Sequence, residues 1–164
     1  MSESDDIHTG GCQCGAIRFR VEGQLGTASI CHCRMCQKAF GNYFAPLVSV
    51  PAGGFTWTRG MPRRFQSSNH VARGFCADCG TPLTYEAPND DVAIAIGAFD
   101  HPEEIAPVIQ FGTEGRMPYF QALAALPERR TEEDVASAEF LLSIRSYQHP
   151  DHDTPAWPAK DSAK

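Results

Sequence analysis

Seven cysteines fall in three tight groups within the first half of a 164-residue chain: Cys12 with Cys14, then Cys31, Cys33 and Cys36, then Cys76 with Cys79. An odd number cannot pair completely into disulfides within one chain. Cysteines serving as small core hydrophobes have no reason to gather at such spacings. The N-terminal run MSESDDIHTGG is acidic and polar, without the basic and apolar regions of a secretory signal, so a cytoplasmic location is expected. In that reducing compartment structural disulfides are rare, and clustered cysteine reads as metal or redox chemistry.

Tetrahedral zinc holds thiolates at ~2.3 Å, with neighbouring sulfurs ~3.8 Å apart. Cys76 and Cys79 form a knuckle, two residues apart and followed by Gly80, which can take the left-handed conformation that closes the turn. Cys12 and Cys14 precede a strand, where residues two apart face the same way, and their flanking glycines allow the bend that brings the sulfurs together. The two pairs together make a closed four-thiolate site, which is structural because no position remains for substrate. Closing so long a loop makes metal binding part of the folding free energy.

The remaining run, Cys31-His32-Cys33-Arg34-Met35-Cys36, offers three thiolates in six residues. Three protein ligands with an open fourth position is the pattern of catalytic zinc. Three thiolates leave the ion with a formal charge of −1, so it suits carrying a thiolate better than making hydroxide. Arg34 and Lys38 could offset that charge or hold an anionic substrate. A site built from Cys31, Cys33, Cys76 and Cys79 is equally legal by bite. The first division is preferred because it breaks no pair.

Other readings compete at each position. The Cys76/Cys79 pair could be a redox motif, although no βαβ unit surrounds it. An iron–sulfur cluster is possible, but C-x-C-x-x-C does not match the common ferredoxin runs. His32 lies between two ligands and in an extended chain points away from the metal. His70 reads as a surface loop residue, and His149 and His152 lie in the tail. Arg73 is either a solvated strand residue or an anion contact. Phe55, Trp57 and Phe65 are most simply core aromatics, and the GTEGR stretch at 112–116 either carries a surface ion pair or lines a pocket.

Apolar residues make up 42% of the chain, enough for one modest core. With 14 basic against 20 acidic residues the net charge is −6, and no basic cluster favours nucleic acid as partner. No apolar run approaches the ~18 residues that span a bilayer. Short segments rich in aromatic and β-branched residues, separated by Gly or Pro, predict strands at 16–23, 27–30, 42–50, 55–58, 63–67, 71–75, 83–86, 91–99 and 108–111. At most a helical turn is expected at 37–40, and another within 117–126. Thr131-Glu-Glu-Asp134 has the form of a capping box, predicting a helix over 132–144. The expected organisation is a disordered lead-in at 1–7, a zinc-binding β domain at 8–131, a helical appendage at 132–148 and a disordered polar tail at 149–164.

GGCQCGAIRF, ICHCRMCQKAFG and RGFCADCGTPLTY, taken in order, resemble the glutathione-dependent formaldehyde-activating enzyme family, which includes the centromere protein V-like proteins. FGTEGRMPYFQALAALPERRT is similar to the end of many members, where Trp often stands in place of Tyr119. The resemblance covers roughly 8–131. It implies a mostly β fold of small antiparallel sheets around zinc, the β-tent, here with a short C-terminal helix. It also implies structural zinc on Cys12, Cys14, Cys76 and Cys79, and catalytic zinc on Cys31, Cys33 and Cys36. The activity it implies is a carbon–sulfur lyase reaction joining glutathione and formaldehyde, with glutathione as co-substrate. Arg34, Lys38 and Arg73 are the candidate glutathione contacts, and Arg34 or Arg73 could also stabilise a developing oxyanion. Two alternatives stand beside this enzyme: a non-catalytic zinc-stabilised binding module, and a zinc store or thiol sensor with labile metal on the three-cysteine run.

Overall fold

The computed structural model describes residues 6–88, 92–133 and 138–156. Among the described residues, ten strands form two sheets. The smaller contains β1 (Ile7–Gly11), β2 (Arg18–Glu22) and β5 (Phe55–Arg59), in the antiparallel order β1-β2-β5. The larger contains β3 (Ala28–Cys31), β4 (Ala45–Ser49), β6 (Arg63–Gln66), β7 (Ala72–Phe75), β8 (Pro82–Glu86), β9 (Val92–Ala95) and β10 (Ile109–Phe111). Its order is β10-β3-β4-β9-β8-β7-β6, antiparallel throughout except for the parallel pair β10 and β3. Two short helices, α1 (Arg34–Phe40) and α2 (Ala138–Ser143), complete a mostly β structure.

The core forms where the sheets' apolar faces meet. Phe19 and Val21 alternate along β2 and are fully buried, together with Leu83 of β8 and Ile94 of β9. Phe19 meets Phe55, Trp57 and Phe99 with ring centroids 5.9, 6.2 and 5.1 Å away. Each such side chain contributes about 1.5–3 kcal/mol of burial free energy. Phe19, Phe55 and Trp57 belong to the smaller sheet, and Phe99 follows the 3-10 turn after β9, so this aromatic group ties the smaller sheet to the segment that leaves the larger one.

Each expected strand has a counterpart, and apart from the strand expected over 91–99 their ends lie within three residues of the expected ones. Three differences matter. Ile7, placed in the expected lead-in, opens a strand that the sequence pattern does not predict: β1 pairs with β2 in the register Ile7↔Glu22 through Gly11↔Arg18. The single turn expected at 37–40 is a full seven-residue helix, α1, which begins at Arg34 and stops at Gly41 in the left-handed conformation (φ 58°). The strand expected over 91–99 ends at Ala95 and turns into a 3-10 helix at Ile96–Ala98, its first residue lying outside the described residues.

The C-terminal segment also departs from expectation. Of the helix expected over 132–144, a 3-10 turn at Thr131–Glu133 and α2 are described, and Asp134 of the capping box lies outside the described residues. Residues 149–156 do not form a free polar tail. The His149 backbone N–H donates to the Gln13 carbonyl at 2.7 Å, and His149 itself is 8% exposed. Asp153 accepts from Arg18, and the Thr154 carbonyl accepts from Arg59. Arg18 is buried, and a buried guanidinium requires anionic partners, which accounts for the Asp153 contact. Asp100, at 2.5 and 2.8 Å, is its principal one. No described helix is long and apolar enough to cross a membrane.

Candidate metal centres

Both cysteine pairs of the first cluster sit in turns between paired strands. Cys12 and Cys14 lie between β1 and β2, where Gly15 N–H bonds the Cys12 carbonyl at 3.0 Å and Cys12 N–H bonds the Ile17 carbonyl at 3.0 Å. Cys76 and Cys79 lie between β7 and β8. There Gly80 N–H reaches the Cys76 carbonyl at 2.9 Å, with Gly80 at φ 79°, the left-handed closure expected of the knuckle. Because β1 and β2 belong to one sheet and β7 and β8 to the other, the cluster ties the two sheets together. The four sulfurs lie within 4.8 Å of one another. The Cys12–Cys14 and Cys14–Cys76 separations are 3.6 and 3.8 Å. Those distances match the ~3.8 Å edge of a tetrahedron with ~2.3 Å metal–sulfur bonds, so the donor set fits a thiolate-bound ion.

Electrostatics favour an ion there. Burial raises the pKa of the Cys14 and Cys76 thiols. Cys79 is held at about 6: burial opposes its ionisation, but the hydroxyl and backbone N–H of Thr81 outweigh it by bonding the thiolate. A cage holding one easily formed thiolate beside neighbours that resist ionisation is the arrangement a divalent cation resolves, since its charge lets all the sulfurs ionise.

The second cluster begins where β3 ends. Cys31 is the last residue of that strand, Cys33 caps α1, and Cys36 lies one turn into the helix. The three sulfurs lie within 4.8 Å of one another, and among the described residues no fourth His, Cys or carboxylate joins them. They line a cavity of about 310 Å³ together with Leu47, Tyr85, Ala93 and Phe111. Burial pushes the Cys36 thiol up to about 12 against the pull of Arg73. Cys33 is lowered: burial opposes this, but hydrogen bonds from the backbone of Cys36 and Met35 and from the Cys36 and Cys31 side chains prevail.

His32 does not join the cluster. It is fully buried on the other side of the chain, with Nε2 2.9 Å from Gln110 Oε1 and its ring 4.7 Å from that of Phe120. The backbone around it is fastened from behind. Gln37 donates to the carbonyls of both His32 and Gly115, at 2.8 and 2.9 Å. A Cβ at Gly112, which has φ 60°, would lie 2.9 Å from the Cys33 nitrogen, and one at Gly115 would lie 2.8 Å from the His32 carbonyl oxygen. The GTEGR stretch therefore lies against the back of the cysteine loop. Its paired glycines were the sequence signal for that close approach, but nothing in the sequence named Gln37 or Gln110.

Arg34, Lys38 and Arg73 do come together. They line a second cavity of about 390 Å³ with Met35, Ala39, Phe65 and Ser67. Arg34 bonds the Gln37 side chain at 3.3 Å. Arg73 is buried rather than solvated and borders both cavities. Phe65, expected in the core, is 62% exposed and forms the rim of this second cavity, whereas Phe55 and Trp57 pack on the core as expected.

Two sheets joined through one four-thiol cluster, with a three-thiol cluster opening onto a cavity, define a cysteine-rich β protein built to hold metal. Residues 7–114 match the family described as glutathione-dependent formaldehyde-activating enzyme, and the chain belongs to that family. Its fold is also similar to the crystal structure of a Rhodobacter sphaeroides protein from a structural genomics programme. That protein is 19% identical, with a TM-score of 0.51, and the match covers 62% of this chain and 98% of that one.

Proposed function

We propose that the protein is a zinc-dependent carbon–sulfur lyase that adds a thiol, glutathione or one like it, to an aldehyde such as formaldehyde. The observation that carries this reading is the contrast in ligand number: Cys12 and Cys79 border a cavity of their own, but four thiols complete a tetrahedral set there, whereas the cluster of Cys31, Cys33 and Cys36 lines its cavity with three thiols and one position left for a ligand. A donor set of thiolates at tetrahedral spacing favours zinc at both clusters. Zinc bound at the second cluster supplies positive charge that lowers the pKa of a coordinated thiol, making nucleophile available at neutral pH.

The protein's own residues then bind and orient. Arg34 and Lys38 lie where they can hold the carboxylates of an anionic thiol, with Met35 and Phe65 covering its apolar stem. Leu47, Ala93 and Phe111 keep the reacting end dry, which strengthens every polar contact made there. In the addition, the thiolate sulfur's electron pair forms the carbon–sulfur bond. The carbonyl π pair moves to oxygen, which takes up a proton in place of the one the thiol released.

The test is exchange NMR on glutathione, formaldehyde and their adduct, with protein of measured zinc content. Exchange that accelerates in proportion to the protein supports the lyase. No acceleration from protein holding two zinc ions per chain would remove the enzymatic reading and leave a zinc-stabilised binding module.

A further inference from the structure

Two arginines are buried among the described residues, and they are held in opposite ways. Arg18 has carboxylates: Asp100 at 2.5 Å and Asp153 at 2.8 Å. Arg73, 7% exposed, has none within ion-pair distance among the described residues. Its Nε donates to the Ser67 hydroxyl at 3.2 Å, its guanidinium lies 5.1 Å from the centre of the Tyr85 ring, and its Nη1 has no partner. Its remaining contact is Nη2 donating to the Cys36 sulfur at 3.3 Å. A guanidinium does not lose its proton in a protein, and a buried charge without a counter-charge is costly. The anionic partner available to Arg73 is the cysteine cluster itself.

The charges agree with that pairing. Three thiolates around a divalent ion sum to −1, and one guanidinium brings the total to zero. Near the four-thiol cluster, Arg59 bonds the Gly15 carbonyl.

We propose that Arg73 is the built-in counter-cation of the three-thiol centre, and that its charge decides how firmly this site keeps a metal ion. The proposal rests on the metal reading given above. Arg73 is thus a positioning residue that acts through Cys36 and its neighbours. It differs from Arg34 and Lys38, which are exposed on α1 and face the outer cavity. The site gains a local neutrality that lets an anionic ligand approach without meeting an uncompensated negative centre.

The experiment counts zinc in the wild-type protein, Arg73→Gln, Arg73→Lys and Ser67→Asp, before and during competition with a chromophoric chelator. Wild type is expected to hold two zinc ions per chain. Arg73→Gln is expected to keep the four-thiol zinc but lose the second, or hold it at least ~tenfold more weakly, the scale of one charge removed at contact range. Arg73→Lys, which keeps the charge, is expected to hold the second zinc within about threefold of wild type. Ser67→Asp leaves Arg73 in place but offers its Nε a carboxylate, and should also weaken the second zinc alone. This variant carries the test if Arg73→Gln does not fold, which loss of both zinc ions would reveal. Equal retention in wild type and Arg73→Gln, equal loss in Arg73→Lys and Arg73→Gln, or no effect of Ser67→Asp overturns the proposal while leaving the metal reading intact. A wild-type protein holding one zinc overturns both.

Discussion

The four-thiol and three-thiol clusters use the same side chain for opposite ends. The first draws its sulfurs from two turns, one in each sheet, so that closing it assembles the fold. The second takes all three sulfurs from six consecutive residues, at the join of β3 and α1, and leaves a side open to a cavity. A cluster whose ligands are far apart in sequence contributes to stability, because holding them together removes chain entropy. A cluster whose ligands are neighbours removes little entropy, and is free to exchange a ligand. The contrast teaches that two clusters able to hold metal can differ in the separation of their ligands along the chain as much as in their number.

The sharpest way to break this comparison is to remove one ligand from each side. Cys76→Ser should abolish cooperative unfolding and soluble accumulation. Structural zinc contributes roughly 10–16 kcal/mol of apparent binding free energy, as much as the ~5–15 kcal/mol that keeps a whole domain folded. Near-native circular dichroism and melting in this variant would show that the sheets do not need the cluster. Cys33→Ala should instead melt within a few degrees of wild type, hold one zinc ion per chain in place of two, and lose thiol–aldehyde exchange. Full turnover in Cys33→Ala would place the chemistry elsewhere.

Smaller effects sharpen the comparison. On the structural side, Asp100→Asn should cost about 1.5–3 kcal/mol in chemical denaturation, since it removes the nearer of the two carboxylates that bond buried Arg18 and leaves Asp153 as the other. The Asp100 carboxyl is held below its usual range: burial works against ionisation, but hydrogen bonds from Arg18 and Thr9 prevail. A depressed folded-state pKa means the stabilisation is complete above the unfolded value near ~3.9 and is lost as pH falls below it. The gap between wild type and Asp100→Asn should therefore narrow as the solution is acidified through that value. On the functional side, Lys38→Ala should raise the KM for an anionic thiol severalfold, with kcat and zinc content unchanged. An equal KM for anionic and neutral thiols in wild type would argue that the outer cavity does not read charge.

Much of the site was legible because its chemistry is local. The bite of C-x-C and C-x-x-C, the left-handed Gly80, the strand that follows Cys14 and those that lead into Cys31 and Cys76 follow from steric rules over a few residues. The choice between two legal groupings of the cysteines was not local. It depended on which turns the two sheets bring together, which spacing leaves open. β1 escaped notice for a related reason: IHTGG has little apolar alternation, and it is a strand because β2 offers it an edge.

The residues around the clusters show the same limit more strongly. Arg73 sits in a strand whose pattern gives no sign of burial, yet its position opposite Tyr85 on β8 and Phe65 on β6 turns its guanidinium toward Cys36. His149 and Asp153 look like tail residues until Arg18 and Arg59 are seen within reach of them. The sequence by itself determined the metal-binding chemistry, the β character and the family, because these rest on side-chain identity at short spacing. Only the tertiary structure decided which thiols lie within reach of one another, which arginine faces them and where the C-terminal segment packs. Those outcomes depend on contacts between residues up to 135 positions apart, as in the Arg18–Asp153 pair, which no local pattern encodes.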